Sequence, residues 1–338
     1  MANKKKIVYF LGAGASYGAG ATAIVQAGGK IPIPTQATFW NTFLRFCSSR
    51  RNRIDIESFL FRYFLGYGKT PARLTPIERR KLLTNIDVEE VFTFLSERAR
   101  APSTSPQLRT YALKIWNALV SEIGNVFLHF KPNVKTRSVY RSLMSNHYRS
   151  FDTIVSFNYD TIFESSLLAR TKARYVGLND SSGGVSVLKP HGSVNWGVSD
   201  DGSIQIESTP AESVIVAPTH LKFVSTNPDE GASQAGYLNQ SEEIRDIWAQ
   251  MEQKMRGARV LIFIGYSFPV SDLYFSSVLR SVLADRDTNP GIVVVNPDAV
   301  AISDRLKSRF AIRKVVQYFD IGQFVQSSRA ELIDQIIA

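Results

Sequence analysis

Cysteine is almost absent from this chain, which contains one, Cys47, among 338 residues. A single thiol excludes a disulfide within one subunit and a zinc ribbon, which needs several thiolate ligands. Histidine is also scarce, with four in the whole chain. We therefore expect a protein of a reducing compartment that carries no cysteine-bound zinc.

Long apolar runs are missing as well. The basic start, residues 1–6, is followed by the apolar run Ile7–Leu11, which is too short for a secretory signal. No stretch approaches the roughly 20 apolar residues that a membrane-spanning helix needs. We expect a cytoplasmic protein that makes no membrane contact.

Basic residues outnumber acidic ones, which gives a formal net charge of +10. Two clusters stand out, Arg50-Arg51-Asn52-Arg53 and Arg79-Arg80-Lys81. Such clusters can contact nucleic acid or an acidic partner. They can also be solvated helix faces, which we favour because no aromatic-interleaved binding motif or zinc module accompanies them.

Short apolar runs rich in β-branched residues recur along the chain and predict buried strands. Between the first two lies a long region, residues 35–148, whose apolar residues have helical spacing. We predict an α/β fold with a Rossmann-like, mostly parallel sheet, in which residues 1–338 form one domain and residues 35–148 a helical insertion. Residues 225–240, rich in Ser, Asn, Gly and Gln, are the best candidate for a mobile loop. The predicted strands are residues 7–11, 153–155, 185–188, 213–216, 260–264, 292–295 and 314–316.

The first predicted strand ends in a glycine-rich turn, Gly12-Ala13-Gly14-Ala15-Ser16. Glycines there let the backbone approach a pyrophosphate, and a following helix directs its N–H groups at the phosphates. Any tight strand-to-helix turn can use the same glycines, so both interpretations stay open. No acidic residue stands at the end of a second strand to hold a ribose, which disfavours an ordinary Rossmann dehydrogenase.

Polar residues also follow the second and third predicted strands. Asn158 and Asp160 come after residues 153–155, at a carboxyl strand end, where parallel sheets bind ligands. In the structural alternative, Asp160 caps a helix that begins at Thr161 and Asn158 forms a local turn. His191, followed by Gly192, comes after residues 185–188 and could accept a proton from a ribose hydroxyl, although a lone histidine is more often structural.

Two later strand ends have the same character. Gly265 and Ser267 follow residues 260–264, and Asn296 follows residues 292–295. They could hold the adenosine half of a dinucleotide through a backbone turn and a polar side chain on the ribose. Alternatively, they are only strand-to-helix connections, with Ser267 or Asp298 as the helix cap.

These motifs occur in the order found in sirtuins, which the chain resembles over most of its length outside the helical region. It resembles more closely the sirtuin-like NAD-cleaving proteins of bacterial anti-phage defence, in which Phe-Asn-Tyr-Asp and His-Gly-Ser-x-Asn-Trp segments are typical. The matching segments here are residues 157–160 and 191–196. The resemblance implies a sirtuin-type fold and the use of NAD as substrate.

The resemblance also implies roles for the matching residues. Asn158 would orient the nicotinamide ribose and a water molecule, Asp160 would hold the nicotinamide amide, and His191 would be the general base. Other residues would contact the phosphates, the adenosine half or the nicotinamide pocket. The residues implied to bind NAD are Gly12, Ala13, Gly14, Ser16, Pro34, Gly192, Gly265, Ser267 and Asn296.

The chain departs from the deacylase pattern in four places. Thr35-Gln36-Ala37 replaces the Asp-Phe-Arg that follows the proline matched by Pro34, and Phe157 stands where deacylases carry glutamine. The zinc-ribbon cysteines are absent, and the Phe-Gly-Glu segment that helps to hold the acyl-lysine peptide has no counterpart near Ala217-Pro218-Thr219. The first two departures concern how the nicotinamide pocket closes and how the ribose is contacted. The loss of the zinc ribbon and of the peptide clamp affects the acyl-lysine side of the site and spares the NAD side.

We therefore expect an NAD+ hydrolase that releases nicotinamide and ADP-ribose and depletes NAD in abortive infection. The alternatives are a protein deacylase and a catalytically silent subunit that binds NAD or ADP-ribose in a defence complex.

Because unregulated hydrolysis would empty the cell of NAD, we also expect an off state. The helical region could supply it by covering the pocket or by building a homo-oligomer, and the resemblance implies a separately encoded partner such as a hexameric ATPase. Nucleic acid contact through the basic clusters stays open.

Overall fold

The computed structural model describes residues 6–25, 28–66, 74–178, 183–207, 213–216, 242–285 and 289–337. The chain forms two compact units, described here as far as these ranges extend. Unit 1 comprises Met1–Ile33, Phe130–His191 and Glu242–Ala338, and unit 2 comprises Pro34–His129 and Gly192–Ser241. The loop predicted at residues 225–240 and the segment Ala217-Pro218-Thr219 lie outside the described residues.

Unit 1 contains most of the strands and unit 2 a group of helices. In chain order the strands are β1 (Ile7–Leu11), β2 (Thr22–Ile24), β3 (Lys30–Pro32), β4 (Thr153–Ser156), β5 (Ala173–Tyr175), β6 (Val185–Leu188), β7 (Gly192–Ser193), β8 (Trp196–Val198), β9 (Ile204–Ile206), β10 (Val214–Ile215), β11 (Val260–Ile264), β12 (Gly291–Val295) and β13 (Val315–Tyr318). The α-helices are α1 (Ala13–Gly18), α2 (Phe39–Phe46), α3 (Arg50–Tyr63), α4 (Pro76–Leu83), α5 (Val88–Arg100), α6 (Pro106–Leu128), α7 (Val134–Asn146), α8 (Ile162–Ser166), α9 (Glu242–Gly257), α10 (Leu273–Ala284), α11 (Ala299–Phe310), α12 (Ile321–Gln326) and α13 (Arg329–Ile337).

A parallel sheet forms the centre of unit 1. In the described residues its strands follow the order β13-β12-β11-β1-β4-β6-β5, and every neighbouring pair is parallel. β1 lies in the middle, where Tyr9 is in register with Ile262 of β11 on one side and with Ile154 of β4 on the other. Both β1 and β11 are buried along their whole length, which explains their unbroken apolar sequences. The predicted α/β fold with a Rossmann-like parallel sheet is confirmed.

One of the predicted strands belongs elsewhere. Six of the seven predicted runs lie in this sheet, but within residues 213–216 Val214 and Ile215 form β10, which pairs antiparallel with β7 in unit 2. The prediction that this run joins the parallel sheet is wrong, because a short apolar run does not specify its pairing partner. Conversely, β5 was not predicted, since its three residues, Ala173-Arg174-Tyr175, form no apolar run.

Helices flank the sheet of unit 1 and bury apolar stripes. α9 illustrates the pattern, because its buried residues recur at the three- and four-residue spacing of one helix face. α7 packs against α8 and α12, α9 packs against α10, and α11 and α13 pack against β12. None of the helices in the described ranges combines the length and apolarity that crossing a bilayer requires. The stripe on α9 consists of Ile244, Ile247, Trp248, Met251 and Met255.

A buried ion pair lies at the amino-terminal edge of the sheet. Asp152, which precedes β4, accepts hydrogen bonds from the N–H groups of Ile7 and Arg149, each at 2.8 Å, and pairs with the guanidinium of Arg329 on α13. Arg329 also donates to the carbonyl oxygen of His147 at 2.7 Å. Burial raises the pKa of Asp152, and the Arg329 guanidinium opposes that shift. The pair ties α13 and the α7–β4 turn to the start of β1.

In unit 2, α6 packs against α2, α3 and α5. Glu122 on α6 is buried and holds the turn between α2 and α3. Its carboxylate accepts hydrogen bonds from the N–H and hydroxyl of Ser48 at 2.7 and 2.9 Å, the N–H of Ser49 at 3.1 Å and the amide of Asn52 at 2.9 Å. Burial opposes ionisation, but these hydrogen bonds lower the pKa of Glu122 overall. The predicted helical region, residues 35–148, thus contributes α2–α6 to unit 2 and α7 to unit 1.

Both basic clusters lie on helices of unit 2. Arg50, Arg51 and Arg53 occupy the first turn of α3 and are exposed. On α4, Arg79 forms an ion pair with Glu57 of α3 at 2.9 Å. Exposed basic side chains are compatible with a solvated helix face and with a contact surface, so both interpretations of the clusters stay open.

Candidate functional site

The polar motifs meet along one edge of the sheet in unit 1. In the sheet order, β12, β11, β1, β4 and β6 are successive neighbours. Because these strands are parallel, their carboxyl ends lie on the same edge, and each is followed by one of the predicted motifs. In that order the motifs are Asn296, Gly265, Gly12–Ser16, Asn158 with Asp160, and His191.

The glycine turn after β1 packs tightly against the end of β11. The N–H of Gly12 donates to the carbonyl oxygen of Ile264, and the N–H of Gly14 to that of Gly265, both at 3.0 Å. Gly265 has a φ of +62°, and a Cβ there would lie 1.9 Å from the nitrogen of Ala15. Close packing of the two loops therefore requires these glycines, as a tight strand-to-helix turn does whether or not it binds a phosphate. The packing also fixes where α1 begins.

Ser16 joins the two polar side chains that follow β4. Its hydroxyl accepts a hydrogen bond from the Asn158 amide at 3.4 Å and donates to Oδ1 of Asp160 at 3.3 Å, with the hydroxyl of Tyr140 also 3.4 Å away. The Asn158 amide donates to the carbonyl oxygen of Gly12 at 3.0 Å as well. The buried Ser16 hydroxyl thus connects the glycine turn, in which a phosphate contact is predicted, to the Asn-x-Asp pair.

Asp160 has both a structural contact and an unusual ionisation. Its Oδ1 accepts a hydrogen bond from the N–H of Ile162 at 2.9 Å, so it supports the start of α8, much as the capping alternative proposed. Burial, aided by the nearby Glu164 carboxylate, raises the pKa of Asp160 to about 6. The Lys189 ammonium and the Ser16 hydroxyl act in the opposite direction. A carboxyl that changes charge near neutral pH is suited to chemistry as well as to structure.

Beside Asp160 lies an ion pair that the sequence did not reveal. The side chain of Lys189 is fully buried, and its ammonium donates to the carbonyl oxygen of Asp160 at 2.6 Å and to Oε1 of Glu164 at 3.0 Å. The hydroxyl of Tyr175 on β5 also donates to Oε1 of Glu164, at 3.5 Å. A lysine among apolar residues, Val187-Leu188-Lys189-Pro190, was the only signal available.

His191 is buried, with 5% of its surface exposed, and aromatic rings surround it. Its ring centroid lies 5.1 Å from that of Phe157, 5.9 Å from that of Trp248 and 6.3 Å from that of Tyr159. The indole N–H of Trp248 also donates to the carbonyl oxygen of Pro190 at 3.0 Å, which fixes the backbone just before His191. Trp248 lies on α9, far along the chain, and no local pattern linked it to the site.

A comparison with known families adds to this geometry. Residues 152–316 match the SIR2-like domain. The match covers just under half of the chain, begins after the glycine turn, and contains Asn158, Asp160, His191, Gly265 and Asn296. It supports a sirtuin-like family, an NAD-related enzymatic activity and the use of NAD. No curated protein matches the chain.

The residues predicted to hold the adenosine half of NAD make mostly local contacts. Ser267 is exposed, and its carbonyl oxygen accepts a hydrogen bond from Arg305 at 2.8 Å. Oδ1 of Asn296 accepts one from the N–H of Asp298 at 3.0 Å, which closes a short turn. The side chain that caps α10 is that of Asp272, not of Ser267.

Two of the residues implied to bind NAD lie in unit 2. Pro34 is buried at the start of that unit, before the 3₁₀ turn Gln36–Thr38. Gly192 directly follows His191 in the chain and has a φ of +77°, and a Cβ there would lie 2.1 Å from the carbonyl oxygen of Val214. The pairing of β7 with β10 therefore requires glycine at residue 192.

Proposed function

We propose that this protein hydrolyses NAD+, breaking the bond between nicotinamide and ribose to release nicotinamide and ADP-ribose. One observation carries the proposal: Asn158 and Asp160 are joined through the buried hydroxyl of Ser16 at the end of β4, and His191 follows β6, the adjacent strand. Asn158, Asp160 and His191 fall within the stretch that matches the SIR2-like domain.

The reaction places a positive charge on the ribose. The electron pair of the glycosidic bond leaves with nicotinamide, which becomes neutral, and the anomeric carbon gains oxocarbenium character. Water then adds to that carbon and loses a proton, which gives ADP-ribose. A carboxylate beside the ribose lowers the energy of the charged transition state because water cannot screen it in a buried site. Asp160 supplies this carboxylate above the pH at which it ionises.

Asn158 and His191 have separate tasks in this proposal. The Asn158 amide is held by the carbonyl oxygen of Gly12 and by Ser16, so its own carbonyl oxygen has a fixed direction and can orient the attacking water. An imidazole can accept a proton from a ribose hydroxyl near neutral pH, which raises electron density on the sugar. The rings around His191 limit access of other water molecules to it.

The departures from the deacylase pattern support water as the acceptor. A chain with one cysteine has no zinc ribbon, and Phe157, which replaces the glutamine of deacylases, fills the space beside His191 with an aromatic ring. In the proposed role, hydrolysis depletes NAD during phage infection, and a partner or assembly of the chain switches it on. We propose a homo-oligomer and a separately encoded partner for this switch.

The test is an assay of the purified protein with NAD+, in which nicotinamide and ADP-ribose are separated by chromatography. It is run with and without extract of phage-infected cells and with and without an acetylated peptide. We expect the wild type to release both products in equal amounts without peptide, and Asn158→Ala and His191→Ala to release at least about a hundredfold less. The exposed Asn125 and His129 of unit 2 provide matched controls, and their alanine variants should keep wild-type rates.

Two results would contradict the proposal. Release of nicotinamide that depends strictly on the acetylated peptide would indicate a deacylase. Equal NAD levels with wild type and with both site variants in every condition would indicate a subunit that binds NAD or ADP-ribose without cleaving it.

A further inference from the structure

The buried pair of Lys189 and Glu164 has no part in the chemistry proposed above. The Lys189 side chain is fully buried and 8% of the Glu164 side chain is exposed. Burying a charge is costly even when it is paired, and an apolar pair of similar size commonly stabilises a fold better. In addition, Oε2 of Glu164 is buried and finds no hydrogen-bond partner among the described residues. Such a pair is poorly suited to stability alone.

The contacts of Lys189 connect the segments that carry the candidate site. Val155 of β4 and Leu188 of β6 are in register, so the two strands end side by side. From the end of β6 the Lys189 ammonium reaches across to the carbonyl oxygen of Asp160, beyond the end of β4, and to Glu164 on α8. Lys189 lies two residues before His191. The ammonium therefore links the Asn-x-Asp segment to the segment that carries the histidine.

We propose that Lys189 and Glu164 are positioning residues, which hold the Asp160 segment at a fixed distance from His191 and set the charge that surrounds the Asp160 carboxyl. This inference rests on the proposed function, since NAD cleavage is its first readout. Neither side chain is required to touch NAD. Lys189 acts through the backbone of Asp160, and Glu164 acts through Lys189.

The two residues have opposite effects on Asp160. The Lys189 ammonium lowers the pKa of Asp160 and the Glu164 carboxylate raises it. Among the described residues, the Ser16 hydroxyl and the Ile162 N–H also face Asp160, and both lower its pKa. Tyr140 lies nearby, and burial raises its own pKa, so that it stays neutral. Removing the charge of Lys189 and removing that of Glu164 should therefore move the acid limb of the pH–rate profile in opposite directions.

The experiment compares Lys189→Met, Glu164→Gln and the double variant, each as the full chain. For each protein, kcat and KM for NAD+ are measured from pH 5 to pH 9, together with the melting temperature. Glu164→Gln should shift the apparent pKa of the acid limb down by about one unit and Lys189→Met should shift it up by a similar amount. Both should lower kcat about tenfold or more with little change in KM, because they displace the Asp160 segment from the reacting ribose without removing a group that binds NAD+. The double variant should regain the melting temperature lost in Lys189→Met without regaining kcat.

The matched control is Asp152→Asn, which disrupts a second buried ion pair of unit 1, at the opposite edge of the sheet. It should lower the melting temperature and leave the pH–rate profile of the folded protein unchanged. If the wild type cleaves NAD+ and the pair variants keep its kcat and pH profile, the positioning role is wrong while the proposed function stands.

If the wild type cleaves no NAD+ in any condition, the proposed function fails instead. The positioning role is then decided by a ¹³C NMR titration of the Asp160 carboxyl, with the signal assigned through Asp160→Asn. The titration midpoint should move down in Glu164→Gln. An unchanged midpoint would overturn the inference.

Discussion

The amide of Asn158 lies 3.0 Å from the carbonyl oxygen of Gly12, to which it donates a hydrogen bond. This contact joins the end of β4 to the turn after β1, the strand beside it in the sheet. It fixes the direction of the side-chain oxygen of Asn158, to which a water molecule or a ribose hydroxyl can donate a hydrogen bond. The geometry therefore requires a donor at residue 158, which the side-chain amide of asparagine supplies.

Asn158→Asp tests that requirement. The substituted carboxylate would face the carbonyl oxygen of Gly12, so this hydrogen bond becomes a repulsive contact, and it would compete with Asp160 for the proton of the Ser16 hydroxyl. We expect kcat for NAD+ cleavage to fall at least about a hundredfold and the free energy of unfolding to fall by about 2 kcal/mol. Steady-state kinetics and urea titration measure the two effects. Unchanged kinetics in a well-folded variant would show that Asn158 has no catalytic part.

The rate of NAD+ cleavage should depend on pH through Asp160. Burial raises the pKa of this carboxyl to about 6, so it is mostly protonated at pH 5 and ionised at pH 7.5. Since the carboxylate is the form that stabilises a cationic ribose, kcat should rise with pH through about 6. In Asp160→Asn this limb should disappear and the plateau rate should fall. A limb that persists in the variant would assign it to another group.

The free energy of unfolding should also depend on pH, through His147. This buried histidine stacks on Phe324 at a centroid distance of 4.4 Å, and burial lowers its pKa. Its folded-state pKa is thus below its unfolded value, so its contribution to stability is present above about pH 6.5 and is lost as the pH falls through the folded value. Asp152 and Asp160, whose pKa values are raised, act in the opposite sense.

Because of these opposing groups, the effect of His147 is measured as a difference between two proteins. His147→Gln keeps a side chain that can donate to the Phe324 carbonyl oxygen, which lies 3.1 Å from Nε2 of His147, but it does not titrate. Between pH 7.5 and pH 5 the wild type should lose more free energy of unfolding than the variant does. Urea titrations at both pH values measure this. Parallel losses would mean that His147 does not contribute to acid sensitivity.

The ion pair of Asp152 with Arg329 should matter for stability and not for catalysis. Arg329→Met leaves a buried carboxylate without its cation, which we expect to lower the free energy of unfolding by about 3 kcal/mol. The rate of NAD+ cleavage per folded molecule should stay unchanged, because the pair lies at the edge of the sheet opposite the candidate site. A loss of activity without a loss of stability would contradict this assignment.

Much of the fold could be predicted because its signals are local. The unbroken apolar runs of β1 and β11 identify buried parallel strands, and the polar residues that end each strand identify candidate positions one at a time. Pairing is not local, so Val214 and Ile215 were predicted in the wrong sheet. The order β12, β11, β1, β4, β6, which aligns the motifs along one edge, also depends on pairings that no local pattern encodes.

The site was harder to predict than the fold, for the same physical reason. Lys189 follows an apolar strand, and a lysine is almost never fully buried, so its pairing with Glu164 was not expected. Trp248 reaches His191 from α9, and its place on an apolar helix face looks like ordinary core. The position of Ser16 in the glycine turn predicts a phosphate contact, and no local pattern indicates that its hydroxyl also contacts Asp160.

The glycines of the two packed loops provide the sharpest test of the local geometry. A Cβ at Gly265 would lie 1.9 Å from the nitrogen of Ala15, in a backbone conformation with a φ of +62° that other residues rarely adopt. Gly265→Ala must therefore move the turn after β11 away from the start of α1, and we expect it to lower the free energy of unfolding by about 2 kcal/mol or more.

The matched control is Gly257→Ala, at the end of α9. A Cβ at Gly257 would meet no other part of the described chain within 4 Å, so this variant should change the free energy of unfolding by less than about 1 kcal/mol. Because the displaced turn would also shift Gly12 and with it the acceptor of the Asn158 amide, Gly265→Ala should lower kcat for NAD+ cleavage while Gly257→Ala should not. Equal stability of the two variants in urea would mean that the loops are not packed as described.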